Sequence, residues 1–372
     1  MRTGDRRTFM LMHKNIETAR IEVEAGRIVG LRETLCPEHM PVGTYASYMT
    51  KDICCVYLQA WQKARAIPLE RSNLSYVLRA AKRDVFELAA LGHGMGLTDQ
   101  YWFREDGESC RWEDICFAKI GFHASALTLT GGGEVVPSPD YETNGALPKA
   151  WVLLDRVPAL LKDSPAWLLT ASANEVIASQ FAQICGVPHA SYFPLKVGDK
   201  TYCASPCFVD SDSEEFVSLL AYLRTNRGSS IEKAKEMGLS QEFLDNMTAF
   251  DLLIGNTDRH EGNFGIIIDP NTMGFVRPAP LFDSGTSLHQ WYGNDEYFKP
   301  FHETKAEALK KLRGIQIKVP SREQIEDIVS SVYEQFGYPE YTKHAIAELC
   351  HNADSLRQRQ LELREQEADI CL

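Results

Sequence analysis

The chain has 372 residues, of which 44% are apolar and 24% charged, and this is the composition of a globular protein long enough for two or three packed units. Its formal net charge of −12 disfavours a nucleic-acid-binding surface, which usually appears as a basic stripe, but is compatible with a nucleotide site that uses Mg²⁺. No apolar run approaches the roughly 18 residues of a membrane span, and the run in MRTGDRRTFMLMHKN is too short for a signal peptide, so we expect a cytoplasmic protein that binds no membrane.

The first 130 residues show secondary-structure patterns but no recognisable motif. IETARIEVEAG and RIVGLRETL alternate loosely and predict a pair of strands within residues 15–35. LSYVLRAAKRDVFELAALG, from Leu74 to Gly92, has apolar residues at helical spacing and predicts one helix that Gly92 ends. We interpret the aromatic segment DQYWFREDGESCRWEDICF as core. The ten cysteines form no CxxC pair, and we expect reduced thiols instead of a zinc site.

From Thr130 onward, Gly and Pro punctuate short apolar runs. AWVLLD (150–155) and AWLLTA (166–171) have the length of strands. SANEVIASQFAQICG predicts a helix that Gly186 ends. SYFPLKVG and KTYCASPCFV predict two more strands joined at Gly-Asp (198–199), which is a hairpin signal. The acidic run DSDSEE (210–215) predicts a linker, and a helix-rich part follows it.

This order of elements is that of a protein-kinase small lobe followed by its helical lobe, although many α+β domains share it. We therefore predict three parts: an N-terminal extension of unknown role (1–130), a small nucleotide-binding lobe (131–209) and a helical catalytic lobe (210–372). The C-terminal run YTKHAIAELCHNADSLRQRQLELREQEADI predicts a long charged helix whose charges form a solvated face. It lacks sustained heptads, so the oligomeric state stays open.

The stretch GNTDRHEGN (255–263) places many polar groups at one turn between FDLLI and FGIII. SQEFLDNMTAFDLLI predicts a helix that stops at Gly255, and NFGIII and FVRPAPLFDSG predict two strands separated by the turn DPNTMG. If these strands pair, Asn263 lies opposite roughly residue 280 and Asp283 falls just past the end of the hairpin. The spacing therefore predicts that a carboxamide and a carboxylate converge, with Asp258 five residues upstream of Asn263.

Phosphoryl transfer needs these three groups. An Asp must lie near the attacking hydroxyl, and carboxamide and carboxylate oxygens must hold Mg²⁺ against the β- and γ-phosphates of ATP. The remaining catalysis is mostly positioning and charge neutralisation. Alone, each of Asp258, Asn263 and Asp283 is typical of a turn. Together, at spacings that converge across a hairpin, they favour a phosphoryl-transfer site.

These stretches resemble a known family. DLLIGNTDRHEGNFGIII followed by APLFDSGTS resembles the paired signature of HipA-like kinases and, more distantly, of phosphoinositide-type lipid kinases. ANEVIASQFAQICGVPHASYF resembles the small-lobe helix of that family and the strand after it, and ETNGALPKAWVLL resembles its phosphate-side loop. The resemblance covers about residues 140–300. It implies an α+β, two-lobed protein-kinase-like fold, with a small β-rich lobe containing one helix, a larger helical lobe, and an N-terminal α+β extension.

The resemblance implies a role for several residues of the turn and its surroundings. Asp258 becomes the catalytic carboxylate, and Asn263 and Asp283 become the Mg²⁺ ligands. His260 becomes a buried structural support of the loop. Glu175, in the small-lobe helix, would orient a lysine against the phosphates of ATP; as a first-turn acid it is equally typical of a residue that faces the helix dipole.

Further nucleotide contacts follow from the same resemblance. Phe208 and Val209 would form the hinge on the adenine side, and Gly145 with Lys149 belong to the phosphate-side loop. The family has a lysine on the strand before the helix, where AWLLT here ends in Thr170. Lys149, or failing that Lys162, would have to supply the charge, and without it the protein would be a pseudokinase.

We therefore predict an ATP- and Mg²⁺-dependent kinase acting on a protein Ser or Thr hydroxyl. The resemblance implies a toxin-like role with a DNA-binding antitoxin partner and no direct binding of nucleic acid. Self-phosphorylation at Ser138 or Thr143, near the phosphate-side loop, is a hypothesis. Two alternatives stay open: a small-molecule or lipid kinase with the same site, although no basic membrane-facing patch is evident, and a catalytically weak scaffold, which Thr170 favours.

Overall fold

The computed structural model describes residues 6–288, 298, 301 and 304–370. Among the helices of these residues, none has both the length and the apolar character that crossing a membrane requires. The chain forms two compact units. The first contains the chain up to Asp163, Pro206–Gly228 and Ile266–Arg277; the second contains Ser164–Ser205, Ser229–Gly265 and the chain from Pro278 onward. The predicted division at residues 130 and 209 into functional parts stays a prediction.

The strands, in chain order, are β1 (Arg7–His13), β2 (Ile16–Glu24), β3 (Arg27–Thr34), β4 (Tyr101–Glu105), β5 (Lys149–Leu154), β6 (Val157–Lys162), β7 (Phe193–Val197), β8 (Lys200–Pro206), β9 (Glu215–Ser218), β10 (Gly265–Asp269) and β11 (Gly274–Pro278). The helices are α1 (Lys51–Arg65), α2 (Leu74–Ala81), α3 (Val85–Leu91), α4 (Trp112–Ile115), α5 (Phe117–Ile120), α6 (Leu127–Thr130), α7 (Ala171–Cys185), α8 (Leu219–Leu223), α9 (Ser230–Glu236), α10 (Gln241–Ile254), α11 (Lys305–Lys311), α12 (Arg322–Phe336) and α13 (Thr342–Ile370).

The first unit begins with an antiparallel sheet in the order β3-β2-β1-β4. The predicted strand pair within residues 15–35 is confirmed as β2 and β3. Alternate residues of the sheet face α1, and Leu11, Ile21 and Leu58 are fully buried between them. The aromatic residues of β4 are buried as well, which confirms the interpretation of that segment as core.

The single helix predicted from Leu74 to Gly92 is wrong, because the chain forms α2 and α3 instead. Lys82 ends α2 in a left-handed conformation with φ of 51°. Asp84 then begins α3 with a capping box: its carboxylate accepts the N–H groups of Phe86 and Glu87, each at 2.9 Å, and the Glu87 side chain accepts the N–H of Asp84 at 2.9 Å. Apolar spacing continues across this break, but the polar AKRD sequence supplies the end of one helix and the start of the next.

The strand predicted at AWLLTA (166–171) is also wrong. The strand before α7 is β6, which pairs with β5 across a two-residue turn at Asp155 and Arg156. Both turn residues have positive φ, 48° and 70°, as a type I′ hairpin requires. Thr170 lies outside any strand, at the residue before α7, so it does not occupy the position of a strand lysine. Lys162 is the last residue of β6, the strand that precedes α7 in the chain.

The second unit contains the helices α7, α9, α10, α11, α12 and α13 and the β7–β8 hairpin. The predicted helices that end at Gly186 and Gly255 are confirmed as α7 and α10, and both glycines have left-handed φ, 76° and 64°. The predicted hairpin turn at Gly198 is confirmed between β7 and β8. Helix α13 confirms the predicted long C-terminal helix and packs against α10 and α12.

Candidate active site

The loop that carries the polar groups begins where α10 ends. Gly255 donates its N–H to the Leu252 carbonyl at 3.4 Å, and Asn256 donates its N–H to the Asp251 carbonyl at 2.9 Å. These two bonds form a Schellman motif, which a left-handed glycine permits. The motif satisfies carbonyls at the end of α10 and sends residues 256–263 away from the helix axis as a loop.

Asp251 and Arg259 form a buried ion pair that anchors this loop to α10. Their side chains are 2% and 0% exposed. Arg259 Nε donates to Asp251 Oδ2 and Nη2 donates to Oδ1, both at 3.0 Å, which is the bidentate geometry of a strong arginine–carboxylate pair. Burial alone lowers the pKa of Arg259, but the charge and hydrogen bonds of Asp251 outweigh it and the pKa is raised, with smaller contributions from Asp283 and Glu175. The guanidinium therefore stays charged.

Arg259 also joins the loop to the segment around Asp283. Its Nη1 donates to the carbonyl of Asn263 at 3.1 Å and to the carbonyl of Phe282, and its Nη2 donates to Ser284 Oγ at 3.2 Å. The predicted hairpin between these segments is confirmed, because β10 and β11 are neighbours and Ala279 donates its N–H to the Gly265 carbonyl at 3.0 Å. The backbone at Asn263 and the backbone next to Asp283 therefore meet on one guanidinium.

Asp258 is fixed to Asn263 through the backbone. Its own N–H donates to Asn256 Oδ1 at 3.1 Å, and its carbonyl accepts from Asn263 Nδ2 at 3.3 Å and from the His260 N–H at 2.8 Å. His260 Nδ1 accepts the N–H of Gly262 at 3.0 Å, which is a local support of the loop. The His260 side chain is half-buried where a buried one was expected. Asp258 is half-buried and Asn263 is 7% exposed.

Asp283 has a left-handed backbone with φ of 59°, a conformation that Asp tolerates better than most residues. Its N–H donates to Tyr192 Oη at 3.4 Å, and the next N–H, that of Ser284, donates to Glu175 Oε2 at 2.8 Å. Glu175 is fully buried in α7. The structure thus places Glu175 against the turn that carries Asp283. The orienting role toward a lysine that the resemblance implies stays a prediction.

The donor set of this site fits a hard divalent cation. The side chains of Asn263 and Asp283 offer a carboxamide and a carboxylate oxygen, the ligand types that Mg²⁺ prefers. Among the described residues no cluster of three His, Cys, Asp or Glu could hold a metal. A Mg²⁺ site of the nucleotide-dependent kind uses one or two carboxylates and completes its coordination with water and phosphate oxygens.

The remaining nucleotide-binding candidates lie in the first unit. Lys149 is 4% exposed, and its Nζ donates to the Asn144 carbonyl at 2.9 Å, so it holds the phosphate-side loop together. Gly145 has φ of 105°, and a Cβ at this position would lie 2.2 Å from Lys149 Nζ. Lys162 is 3% exposed, and its Cα is the cross-strand partner of Lys149. Arg71 Nε donates to the Gly145 carbonyl at 3.0 Å and supports the same loop.

The two candidate phosphorylation sites are buried. Ser138 is 2% exposed and its Oγ accepts the N–H of Asp140 at 3.2 Å. Thr143 is 9% exposed, its Oγ1 donates to the Pro139 carbonyl at 2.9 Å, and it accepts from Trp151 Nε1 at 2.8 Å. Their phosphorylation therefore requires this segment to open first, and it stays a prediction.

The hinge candidates lie between β8 and β9. The Phe208 carbonyl accepts from Arg277 Nη2 at 3.4 Å, the Phe208 ring packs edge-on against the Phe216 ring with 5.8 Å between centroids, and Val209 is 4% exposed.

Four residues that organise the loop were not predicted from the sequence: Asp251, Asn256, Arg259 and Ser284. One signal was available: Asp251 is a carboxylate within the apolar run FDLLI, where a charge is buried only with a partner.

No protein-family model matches the sequence, and no curated protein matches it either. Among solved structures, HipA of Shewanella oneidensis MR-1, from a complex of its toxin–antitoxin system with HipB and operator DNA, has 12% sequence identity and a TM-score of 0.54. That similarity covers 96% of this chain and 99% of that one. The proinflammatory kinase CtkA of Helicobacter pylori has 16% identity and a TM-score of 0.46, over 58% of this chain and 95% of that one.

The similarity to HipA shows that this chain has a HipA-like α+β fold. It confirms the fold class that the resemblance of the GNTDRHEGN and FDSGTS stretches implies. Since only 4% of the chain is uncovered, the similarity also extends into the first 130 residues, in which the sequence carried no resemblance.

Proposed function

We propose that this protein is an ATP- and Mg²⁺-dependent kinase that transfers the γ-phosphoryl group to a Ser or Thr hydroxyl of a protein. The observation that carries the proposal is the junction at Arg259, which ties the loop of Asp258 and Asn263 to the turn of Asp283. These are the three groups that phosphoryl transfer needs, and the HipA-like fold supports the same activity.

Each of the three side chains has a separate task in this proposal. Asp258 orients the attacking hydroxyl and accepts its proton. Asn263 and Asp283 hold Mg²⁺ through their side-chain oxygens. When bound, Mg²⁺ neutralises charge on the β- and γ-phosphates. His260 supports the loop through its bond to the Gly262 N–H and takes no part in proton transfer.

We propose Lys162 as the lysine that contacts the phosphates, with Lys149 as the second candidate. Lys162 ends β6, the strand that precedes α7 in the chain, and this is where the resembling family has its lysine. Gly145, Phe208 and Val209 stay proposed nucleotide contacts. Because Thr170 is not a strand residue, the argument for a pseudokinase that rested on it no longer applies. Loss of ATP binding in Lys149→Met but not in Lys162→Met would contradict this choice.

We also propose a toxin-like role with a DNA-binding antitoxin partner, because HipA was solved with HipB and operator DNA. If this is correct, expression of the protein alone should arrest growth of a bacterial host, and Asp258→Ala should relieve the arrest. Growth that is equally fast with the wild type and with Asp258→Ala, at equal protein levels, would count against a toxin role.

The decisive experiment measures the melting temperature with Mg²⁺ alone, with ATP alone and with both. We expect a rise that needs both ligands, because a ligand that binds only the folded state stabilises it. The rise should disappear in Asp283→Ala and persist in Asp354→Ala, which removes an exposed carboxylate on α13. Absence of a shift in the wild type at several millimolar ATP would contradict the nucleotide site. Where the shift is present, transfer of labelled phosphate to protein substrates tests the reaction itself.

A further inference from the structure

We propose that Arg259 is the positioning residue of the metal site: it holds the Asn263 and Asp283 ligands in register with each other without touching the ion. This inference rests on the proposed function and deepens it. Arg259 is fully buried, so a substrate that arrives from solvent does not contact it. Its effect must pass through the protein groups that it contacts.

Each of the five N–H donors of Arg259 has a partner. Nε and one Nη2 donor reach the two oxygens of Asp251. The second Nη2 donor reaches Ser284 Oγ, and the two Nη1 donors reach the carbonyls of Asn263 and Phe282. An arginine presents these donors in one rigid plane. A lysine has three donors on a flexible stem and could not keep all of these contacts.

The partners of Arg259 are adjacent to the two proposed ligands. Apart from Asp251, its partners are the carbonyl of Asn263 itself and the residues before and after Asp283. The peptide group between Phe282 and Asp283 is held at both ends, since its carbonyl accepts from Arg259 and its N–H donates to Tyr192 Oη. This peptide orientation accompanies the left-handed φ of Asp283. Rotation of the peptide would change the backbone conformation that sets the direction of the Asp283 side chain.

The charge of Arg259 is matched locally. Asp251 takes the direct ion pair at 3.0 Å, and Asp283 and Glu175 also favour the charged guanidinium. The buried pair fixes Arg259 to the end of α10. The same guanidinium therefore contacts the helix, the loop and the Asp283 turn. Groups that orient metal ligands in this way typically change metal affinity or activity by about 10- to 100-fold when they are mutated.

The test compares Arg259→Lys with the wild type and with a matched control, Arg359→Lys. Arg359 also donates to two backbone carbonyls of the second unit, those of Lys310 at 2.9 Å and Leu312 at 3.1 Å, but it does not contact the loop or the Asp283 turn. The first readout is the Mg²⁺ concentration that gives half of the ATP-dependent rise in melting temperature. We expect it to increase at least about tenfold in Arg259→Lys and to stay unchanged in Arg359→Lys.

The second readout needs no ligand. Amide hydrogen exchange of the full chain should become faster in Arg259→Lys at residues 258–263 and at residues 282–285 together, with neither segment affected in Arg359→Lys. Protection that is unchanged in either segment would overturn the inference, whether or not the wild type binds ATP. An unchanged Mg²⁺ requirement would also overturn it. If the wild type shows no ATP-dependent rise, the proposed function fails, and hydrogen exchange still decides the role of Arg259.

Discussion

Asp251 is the residue on which the geometry of the candidate site depends most directly. Its carboxylate accepts Asn256 Nδ2 at 2.9 Å and both Nε and Nη2 of Arg259, and its carbonyl accepts the N–H of Asn256. A single buried carboxylate on the last turn of α10 therefore organises the start of the loop and neutralises the buried cation. Asn256 and Arg259, which Asp251 holds, in turn bond the N–H of Asp258 and the carbonyl of Asn263.

We expect Asp251→Asn to lower the free energy of unfolding by about 3–5 kcal/mol, the loss found when one partner of a buried ion pair is removed. The substitution keeps the size of the side chain but leaves the Arg259 guanidinium buried without its counter-charge. Urea denaturation measures the loss. The exposed Asp354→Asn on α13 serves as control and should change stability by less than about 0.5 kcal/mol. A loss below about 1 kcal/mol in Asp251→Asn would mean that the pair is not the anchor.

The helices and strands that could be predicted from the sequence are those whose ends are marked by a characteristic residue. Helices α7 and α10 have apolar spacing and a terminal glycine, and the β7–β8 hairpin has a Gly at its turn. The β5–β6 hairpin could not be predicted, because Arg156 adopts a positive φ where a type I′ turn usually has Gly, and because Pro158 argues against a strand. The position of Lys162 at the end of a strand was consequently not predicted.

In the candidate site, too, some features could be predicted from the sequence and others could not. The convergence of Asn263 and Asp283 follows from the length of one hairpin, which is a local property of the sequence. The role of Arg259 could not be predicted in this way. Its side chain bonds to Ser284, which lies 25 positions further along the chain, and such pairings depend on the completed fold. The same is true of Glu175, which bonds to the Ser284 N–H across 109 positions.

The phosphate-side loop permits a test at the scale of one element. Gly145→Ala introduces a Cβ at 2.2 Å from Lys149 Nζ, in a backbone with φ of 105°. Gly107 has a similar φ of 90° but no atom within 4 Å of its Cβ position, so Gly107→Ala measures the backbone strain alone. We expect Gly145→Ala to be less stable than Gly107→Ala by about 1 kcal/mol, because Lys149 must give up its bond to the Asn144 carbonyl.

Thermal or urea unfolding of the two variants gives this difference directly. ATP binding provides an additional comparison, since only Gly145 belongs to the proposed nucleotide contacts. Equal stability and equal ATP affinity of the two variants would show that Lys149 moves aside without consequence and does not hold the loop.

At the scale of the whole molecule, one buried acid of the first unit should shape the pH dependence of stability. Glu142 has an almost fully buried side chain, 3.4 Å from Arg65, and no described residue donates a hydrogen bond to either of its carboxylate oxygens. Burial raises the pKa of Glu142 to about 7; Arg65 opposes this rise and Asp99 adds to it. The folded protein therefore holds this proton at pH values at which the unfolded chain, with a pKa near 4.5, has released it.

The sign of the effect follows from proton linkage. Between pH 4.5 and 7 the folded state binds more protons than the unfolded state at this site, so the stability due to Glu142 falls as the pH rises, and it is constant above that window. The total fall is about 3 kcal/mol. Glu142→Gln removes the titration, so the difference in unfolding free energy between wild type and variant should shift by this amount in favour of the variant from pH 4.5 to pH 8. Parallel stability profiles of the two proteins would show that Glu142 is charged in the folded state throughout this range, with Arg65 compensating for its burial.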